Sequence, residues 1–395
     1  MKINFGKKAI VAGAVAASLL SVVLIANSVL ATTTFNPASQ LNISGSTTCF
    51  PIFKTVLGIP GAGGLGTGGT FQTNTGASWN ADVEQGASGV GLSDCQAGAN
   101  DVGLSSTLSS VLNTQIGPGK SAPNVTYKDF ARDGVCILVN NQVTGLTGLT
   151  FDQIANIFGT VSGQTAITTW SALGATAPAG SNNITVIGRE VGSGTRDTLD
   201  GVIAGSFSGW TDVSVTSRQT SSSALLSAVQ AEPGGIAYEA YGYVSQNHSG
   251  VTIMNISNNI TNPVPTSGLT YVAPTPQSIT SAGYPLARTL KMETNTNGST
   301  NSAHATQLMS YMENRLGQDD VATAGFVKLN PDEDVNADGH VNISDIASIG
   351  TVWLQTNLSN PGWIPQDVNQ DGKINISDIA LIGQWWLLSY TVIAH

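Results

Sequence analysis

The chain is short of charge. Only 10% of its 395 residues are Asp, Glu, Lys or Arg, and the formal net charge is −10. That balance argues against nucleic acid as a partner. It leaves room for a small anion, because a local site can oppose the global field. Cysteine is scarce as well: there are three, Cys49, Cys95 and Cys136. An odd number leaves at least one thiol free or paired between chains, and the expected bridge joins Cys49 to Cys95. No grouping of these cysteines with histidine resembles a zinc site. The four histidines, His248, His304, His340 and His395, lie outside the glycine- and hydroxyl-rich turns described below. Those turns hold no paired carboxylates, no Ser-His-Asp order and no metal ligands. No catalytic residues are expected, and a hydrolase is the weakest of three competing readings.

What is plentiful is glycine, with 45 residues, and hydroxyl and amide side chains. The amino terminus has the layout of an export signal. Lys2, Lys7 and Lys8 precede an apolar run from Ala9 to about Ile25, and Val29-Leu30-Ala31 offers a cleavage pattern. The same run is long enough to span a membrane if retained, and it also looks a little like the pilin-type signals of archaea. No cysteine follows it to carry a lipid. Ten Asn-X-Ser/Thr sequons, Asn42 and Asn124 among them, suit an extracellular glycoprotein.

The stretch Arg189-Glu190-Val191-Gly192-Ser193-Gly194-Thr195-Arg196-Asp197 organises the middle of the chain. It follows an apolar run, Ile184 to Ile187, and precedes a segment that reads as a helix. Strand, glycine turn and helix start together hold an anion. Gly192 and Gly194 let consecutive N–H groups point into one concavity. The first helical turn adds unpaired donors and the positive end of the helix dipole. Ser193 and Thr195 add hydroxyls, and Arg189 and Arg196 add forked positive charge. The bland alternative is a simple capped turn.

Similar corners recur. Leu41-Asn42-Ile43 reads as a strand and leads into Gly45-Ser46-Thr47-Thr48-Cys49-Phe50-Pro51-Ile52. Residues 58–70 read as a flexible loop, and Trp79 to Gly86 as a possible helix. A third turn, Gly86 to Gly91, carries Ser88, and Val102-Gly103-Leu104-Ser105-Ser106 is a short strand ending in paired hydroxyls. Gly134 to Asn140 is apolar without alternation, as parallel sheets require. Leu149 to Phe158 is an amphipathic helix that Thr150 can cap. Ser222 to Gln230 is a helix stopped by Pro233-Gly234-Gly235, and Ile236-Ala237-Tyr238 resumes as a strand. Strands alternating with helices indicate an α/β fold with a largely parallel sheet.

Taken in order, these blocks make residues 41 to 330 resemble the phosphate-binding proteins of ABC transporters, a branch of the type 2 periplasmic-binding-protein fold. Ser46, Thr47 and Thr48 resemble the first phosphate loop of that family, Ser88 the second, and Ser105 and Ser106 the third. Arg189, Gly192, Ser193, Gly194 and Thr195 match its Arg-x-x-Gly-Ser-Gly-Thr loop, and Pro233 to Tyr238, Tyr284-Pro285-Leu286 and Gly317 to Val327 complete the set. The resemblance implies two lobes joined by two crossing strands, with ligand in the cleft. Residues 41–128 and 236–330 would form one lobe and 129–235 the other, within a domain spanning 32–330. It also implies an inorganic phosphate or similar oxyanion as ligand, and an ABC permease as a possible partner. The family often has Asp after the third-block Ser and an acidic residue two places after the Arg. Here Ser106 and Val191 stand there, so the choice between phosphate and sulfate is open.

The carboxyl end carries an internal repeat. Asp334 to Asp345 recurs as Asp367 to Asp378, an offset of 367 − 334 = 33 residues. The pattern is a calcium loop, with oxygen ligands at positions 1, 3, 5 and 12, a carbonyl at 7 and Gly at 6. The first copy offers Asp334, Asn336, Asp338, Asp345 and the carbonyl of His340. The second offers Asp367, Asn369, Asp371, Asp378 and the carbonyl of Lys373. Two Ca2+ ions are expected. Pro331 disfavours the entering helix of an EF-hand. Ile346, Ile349 and Trp353, then Ile379, Ile382 and Trp386, fall at helical spacing. Two such half-motifs resemble a type I dockerin over residues 331–390, a small all-α calcium module that plugs into a cohesin on another protein. The leading expectation is an exported oxyanion-binding protein tethered to a cohesin-bearing partner. The alternative is an assembly protein that reuses the binding fold without transport.

Overall fold

The computed structural model describes residues 33–37, 39–57, 69–72, 78–264, 267–356, 358 and 364–393. The expected leader and most of the 58–70 loop lie outside them. Among the described residues no helix is long and apolar enough to cross a membrane. The strands are β1 (Leu41–Ser46), β2 (Gly69–Gln72), β3 (Ser78–Gly86), β4 (Val102–Ser105), β5 (Val125–Asn140), β6 (Gly148–Thr150), β7 (Thr185–Arg189), β8 (Ser217–Gln219), β9 (Gly235–Ala240), β10 (Val251–Ile253), β11 (Asn255–Ser257) and β12 (Ala287–Asn295). One sheet runs β2-β3-β1-β4-β12-β5-β9-β7-β8, with β10 added to β5, while β6 and β11 pair separately.

The sheet is two parallel blocks with an antiparallel seam between them. β3, β1 and β4 are parallel neighbours, and so are β8, β7 and β9. β12 and β5 run between the blocks, antiparallel to each other and to the strands they meet. β5 has 16 residues. At about 3.4 Å per residue such a strand is long enough to serve both blocks. One core gathers Leu41, Ile43, Phe53, Val83, Leu104, Met292 and Leu308. The other gathers Val139, Ile154, Phe158, Trp170, Leu199, Tyr238, Ile256 and Leu286. The α/β, two-lobed architecture is as expected.

Several local expectations are corrected. Residues 236–286 pack with the second core, not the first, because β9 pairs β5 and β7 and brings Ile236, Tyr238, Ile256 and Leu286 with it. Trp79 to Gly86 is strand β3 rather than helix; Trp79, Ala81 and Val83 are buried at a spacing of two. The unbroken apolar run 134–140 is an antiparallel strand. Its second half is buried on both faces because it lies in the middle of the sheet, not because its neighbours are parallel. No bridge joins Cys49 and Cys95: all three cysteines are free and buried. Burial raises their thiol pKa, with Cys49 pushed up to about 12, so they are inert as thiolates. The helix Phe151–Phe158 is capped as expected, with Thr150 Oγ1 accepting from the Gln153 N–H in a full capping box.

The carboxyl-terminal residues form their own small core from Val335, Val341, Ile349, Val368, Ile374 and Ile382. Helices Ile343–Gly350 and Ile376–Gln384 follow the two loops, each opened by a capping box, Asn342 with Asp345 and Asn375 with Asp378. Residues 326–342 carry no helix, so the first loop lacks an entering helix.

One buried carboxyl in the first lobe shapes stability. Glu293 on β12 is fully buried, with desolvation by burial the dominant influence on its carboxyl and the Ser105 side chain beside it. Burial pushes its pKa up to about 8. A carboxyl raised in this way holds a proton in the folded state that the unfolded chain releases near pH 4.5. Its stabilising contribution is therefore complete below that pH and is lost as pH rises through about 8. Thermal melting of Glu293→Gln should fall less steeply between pH 5 and 8 than melting of the native chain; equal slopes would show that Glu293 is ionised when folded.

Candidate functional site

The three corners of the first lobe leave the carboxyl ends of adjacent parallel strands. Ser46 ends β1, Ser88 opens the helix that follows β3, and Ser105 ends β4. Arg189 ends β7 in the second lobe, and the helix Gly194–Ser206 starts after it. Open α/β sheets bind ligands outside the carboxyl ends of their strands, and these loops face one another there. Gly192 turns with φ +86°, which a side chain would resist. Ser193 caps the helix, its Oγ accepting from the Arg196 N–H.

The structure brings most of the expected residues into one place. Ser46 Oγ donates to Ser106 Oγ at 2.9 Å, and Ser88 Oγ lies 3.3 Å from the same atom. The Ser106 N–H donates to Ser88 Oγ at 3.0 Å. Across the cleft, Thr48 Oγ1 lies 3.1 Å from Thr195 Oγ1, and Arg189 Nη2 donates to Thr47 Oγ1 at 3.0 Å. The Gly89 N–H donates to the Gly192 carbonyl at 3.2 Å. A Cβ at Gly194 would come within 2.3 Å of Ser88 Oγ and 2.5 Å of Ser106 Oγ, so only glycine lets the second lobe approach this far. Ser105 is directed elsewhere: its hydroxyl accepts from the Thr107 N–H. Arg196 also turns away, to Asp200 and Asp212.

Arg189 is almost wholly buried. Its Nε and Nη2 donate to the two Glu190 oxygens at 3.0 Å each, and its Nη1 donates to Glu239 at 3.2 Å. Burial works against its charge, but Glu239 and Glu190 outweigh it and hold its pKa above the ordinary arginine value. Asp197 sits on the same helix with its carboxyl pushed up to about 6 by burial, and it accepts from Thr107 Oγ1 at 3.4 Å.

The residues that sequence reasoning missed lie on the crossing strands. Arg288 of β12 stands opposite Asp133 of β5. Both are buried, and Arg288 Nε and Nη2 donate to Asp133 Oδ2 at 3.0 and 2.8 Å. The same guanidinium reaches both lobes. Nη1 donates to the carbonyls of Ser106 at 2.9 Å and Gly194 at 3.1 Å, and Nη2 to Thr195 Oγ1 at 3.1 Å. Three positions on, Lys291 is also buried and donates to the Thr107 carbonyl at 2.9 Å. The available signal was an Arg and a Lys three positions apart in one short strand, in a chain with so little charge.

In the tail, both loops turn through a left-handed residue, Ala337 and Gln370, and a glycine, Gly339 and Gly372. Asp334 accepts from the N–H groups of Asp338 and Gly339. Asp338 accepts from that of His340, and Asp345 from those of Asn336 and Asn342. Asp367, Asn369, Asp371 and Asp378 accept at the matching places in the second loop, Asp371 from the Lys373 N–H. Among the described residues, no three acidic, histidine or cysteine side chains converge tightly enough to hold a metal ion. The donor chemistry still fits one. The Asp334, Asp345, Asp367 and Asp378 carboxylates are buried side by side in their loops, and Asp367 Oδ1 is buried with no partner at all. Such an oxygen calls for a cation or a proton.

Comparison with known proteins follows this division. A model of the PBP superfamily domain matches residues 31–315, and one of the dockerin type I domain matches residues 332–387. A solved structure from Clostridium perfringens, named as a phosphate ABC transporter substrate-binding protein with bound phosphate, is 21% identical. It covers 73% of this chain and 99% of its own, with a TM-score of 0.52, and shows the shared fold. An ABC-type phosphate transport receptor from Vibrio cholerae is 17% identical over 73% of this chain and 99% of its own, with a TM-score of 0.49.

Replacing Arg288 by Met would leave Asp133 charged, buried and without its forked partner. Breaking one side of such a pair costs about 3–5 kcal/mol. A urea titration of Arg288→Met should show a loss of this size, and a loss below about 1 kcal/mol would mean that the pair is not a structural centre.

Proposed function

We infer the function from a family relationship: this chain belongs to the PBP superfamily, whose members are non-catalytic solute-binding proteins, and it carries a dockerin type I domain. The proposed role is an exported protein that captures phosphate or a similar tetrahedral oxyanion between its lobes. A calcium-dependent dockerin then tethers it to a cohesin-bearing partner, and an ABC permease is a further candidate partner. The observation that carries the reading is the meeting of hydroxyl corners from both lobes around Ser106, Thr195 and Arg189, over the buried Arg288. Ser46, Thr47, Thr48, Ser88, Ser106 and Thr195 would supply hydroxyl donors, and Gly192, Ser193 and Gly194 the backbone N–H groups. Ser105 would contribute through the backbone turn that places Ser106.

The magnitudes allow it. Hydrogen bonds to a charged guest contribute about 1.5–3 kcal/mol each, and micromolar binding needs about 8 kcal/mol. A second reading, an assembly protein that has kept the fold and given up the ligand, draws support from Arg189. Glu190, Glu239 and Thr47 already occupy most of its donors.

Calorimetric titration of the purified chain separates the two. Phosphate or sulfate should bind in the micromolar range. Gly194→Ala should weaken binding about tenfold, because overpacking of this kind costs roughly 1–3 kcal/mol. Absence of heat with both anions would leave the assembly reading in possession.

For the tail, Asp334, Asn336, Asp338, Asp345 and the His340 carbonyl would hold one Ca2+. Asp367, Asn369, Asp371, Asp378 and the Lys373 carbonyl would hold the second. The bound ion would supply the positive charge that lets each group of carboxylates sit together. Chelation should lower the far-ultraviolet circular dichroism of the two loop-following helices, and an unchanged spectrum would count against calcium.

A further inference from the structure

The first calcium loop touches the binding domain through a residue outside the 332–387 dockerin match. Tyr390 OH donates to Asp334 Oδ2 at 2.8 Å, and the Tyr390 N–H donates to the Gly339 carbonyl at 2.9 Å. Asp334 occupies the first position of the loop and Gly339 the sixth. Tyr390 therefore fixes the orientation of a proposed first ligand from behind, the role that outer partners play at metal sites. The ring of Tyr390 lies under the Arg132 guanidinium, 5.6 Å from ring centre to Cζ. Arg132 Nη2 donates to the Thr391 carbonyl at 2.6 Å, and its Nε to the Leu329 carbonyl. Nη1 donates to the Thr280 carbonyl at 3.3 Å. A second clasp holds the same tail: Asn330 Nδ2 donates to the Ile393 carbonyl and Asn330 Oδ1 accepts from the Ile393 N–H, both at 3.1 Å.

Arg132 is no ordinary surface arginine. It is buried on β5, one residue before Asp133. Side chains alternate along a strand, so Asp133 meets Arg288 and the cleft loops while Arg132 serves the back of the same strand. The Arg132 N–H and carbonyl also pair with Val327 at 2.8 and 3.1 Å. One short segment of β5 thus carries the hub of the cleft on one side and the dockerin tail on the other.

We propose that Tyr390 and Arg132 form a relay that couples cation occupancy of the first loop to the crossing strands beneath the cleft. The proposal rests on the calcium reading of that loop. Without a cation, the Asp334 and Asp345 carboxylates repel and the loop loosens its hold on Tyr390. With one, the loop sets, the 390–393 tail stays on Arg132 and Asn330, and β5 is braced from behind. By linkage, an anion that stabilises the closed cleft then favours calcium, and calcium favours the anion by the same factor.

Hydrogen exchange on the full chain, with calcium and with chelator, tests the relay. Coupling energies between sites typically correspond to about 5–150-fold, so the amides of Arg132 and Val327 should exchange at least ~5-fold more slowly with calcium. Tyr390→Phe keeps the ring and removes the hydroxyl, and Asn330→Ala frees the tail without touching either proposed site. Each should reduce the calcium effect to below about twofold. The relay is overturned if calcium leaves these amides unchanged in the native chain, or if both variants keep the full effect. Phosphate titration with and without calcium is the second arm. A shift in affinity in the native chain that Tyr390→Phe abolishes supports the relay, and an affinity indifferent to calcium counts against it. If phosphate gives no heat, the oxyanion reading falls while the exchange measurement still decides the relay.

Discussion

The ion pair between Arg288 and Asp133 is the contact on which the arrangement of the lobes depends. Two charges with no access to water survive only when each is met by good geometry and further hydrogen bonds. Here a forked guanidinium meets one carboxylate oxygen with two donors. The other oxygen accepts from the Gly242 N–H at 3.0 Å. What remains of Arg288 is spent on carbonyls and a hydroxyl from both lobes. The pair sits where the two long strands cross, so the loops that must meet are anchored at the point about which the lobes would move. Lys291 adds a second buried cation on the same strand, held by the Thr107 and Thr289 carbonyls. Arg288 is balanced by Asp133, and Lys291 lies 3.8 Å from Asp129 Oδ1, so both cations beneath the hydroxyl corners have acidic neighbours.

Much of this could be read from the chain, and the reasons it could are local. Glycine beside hydroxyl residues at strand ends announces a turn, and four such turns were visible at Ser46, Ser88, Ser106 and Arg189. The helix after Thr150 was legible because its cap and its apolar face agree. The dockerin was legible because a calcium loop dictates residue types at fixed spacing, and it does so twice. What stayed hidden depends on partners distant in sequence. β3 looked helical because its polar residues blur the alternation, and only pairing with β1 and β2 decides it. The strand direction of β5 could not be read, since burial on both faces looks the same for parallel and antiparallel neighbours. The lobe boundary moved for the same reason: β9 follows a glycine turn in either topology. Arg288 was passed over because its partners lie 155 and 182 residues away in sequence, at Asp133 and Ser106.

The departures at Ser106 and Val191 give the cleft its own character. No carboxylate stands at either position, yet acidic groups are close at hand. Glu190 grips Arg189 with both oxygens, Glu239 meets it from β9, and Asp197 lies behind Thr107 with a raised pKa. Selectivity among oxyanions would then depend on hydroxyls that donate or accept as needed, rather than on a fixed acceptor. Such a site would discriminate less between a protonated and an unprotonated anion than one lined by a carboxylate.

The decisive measurement is a crystal structure grown with phosphate. A tetrahedral density between the Thr47, Ser88, Ser106 and Thr195 hydroxyls, with Arg288 still paired to Asp133 below it, is the predicted result. A cleft whose hydroxyls bond only to one another at saturating phosphate, or an anion bound elsewhere, would contradict it.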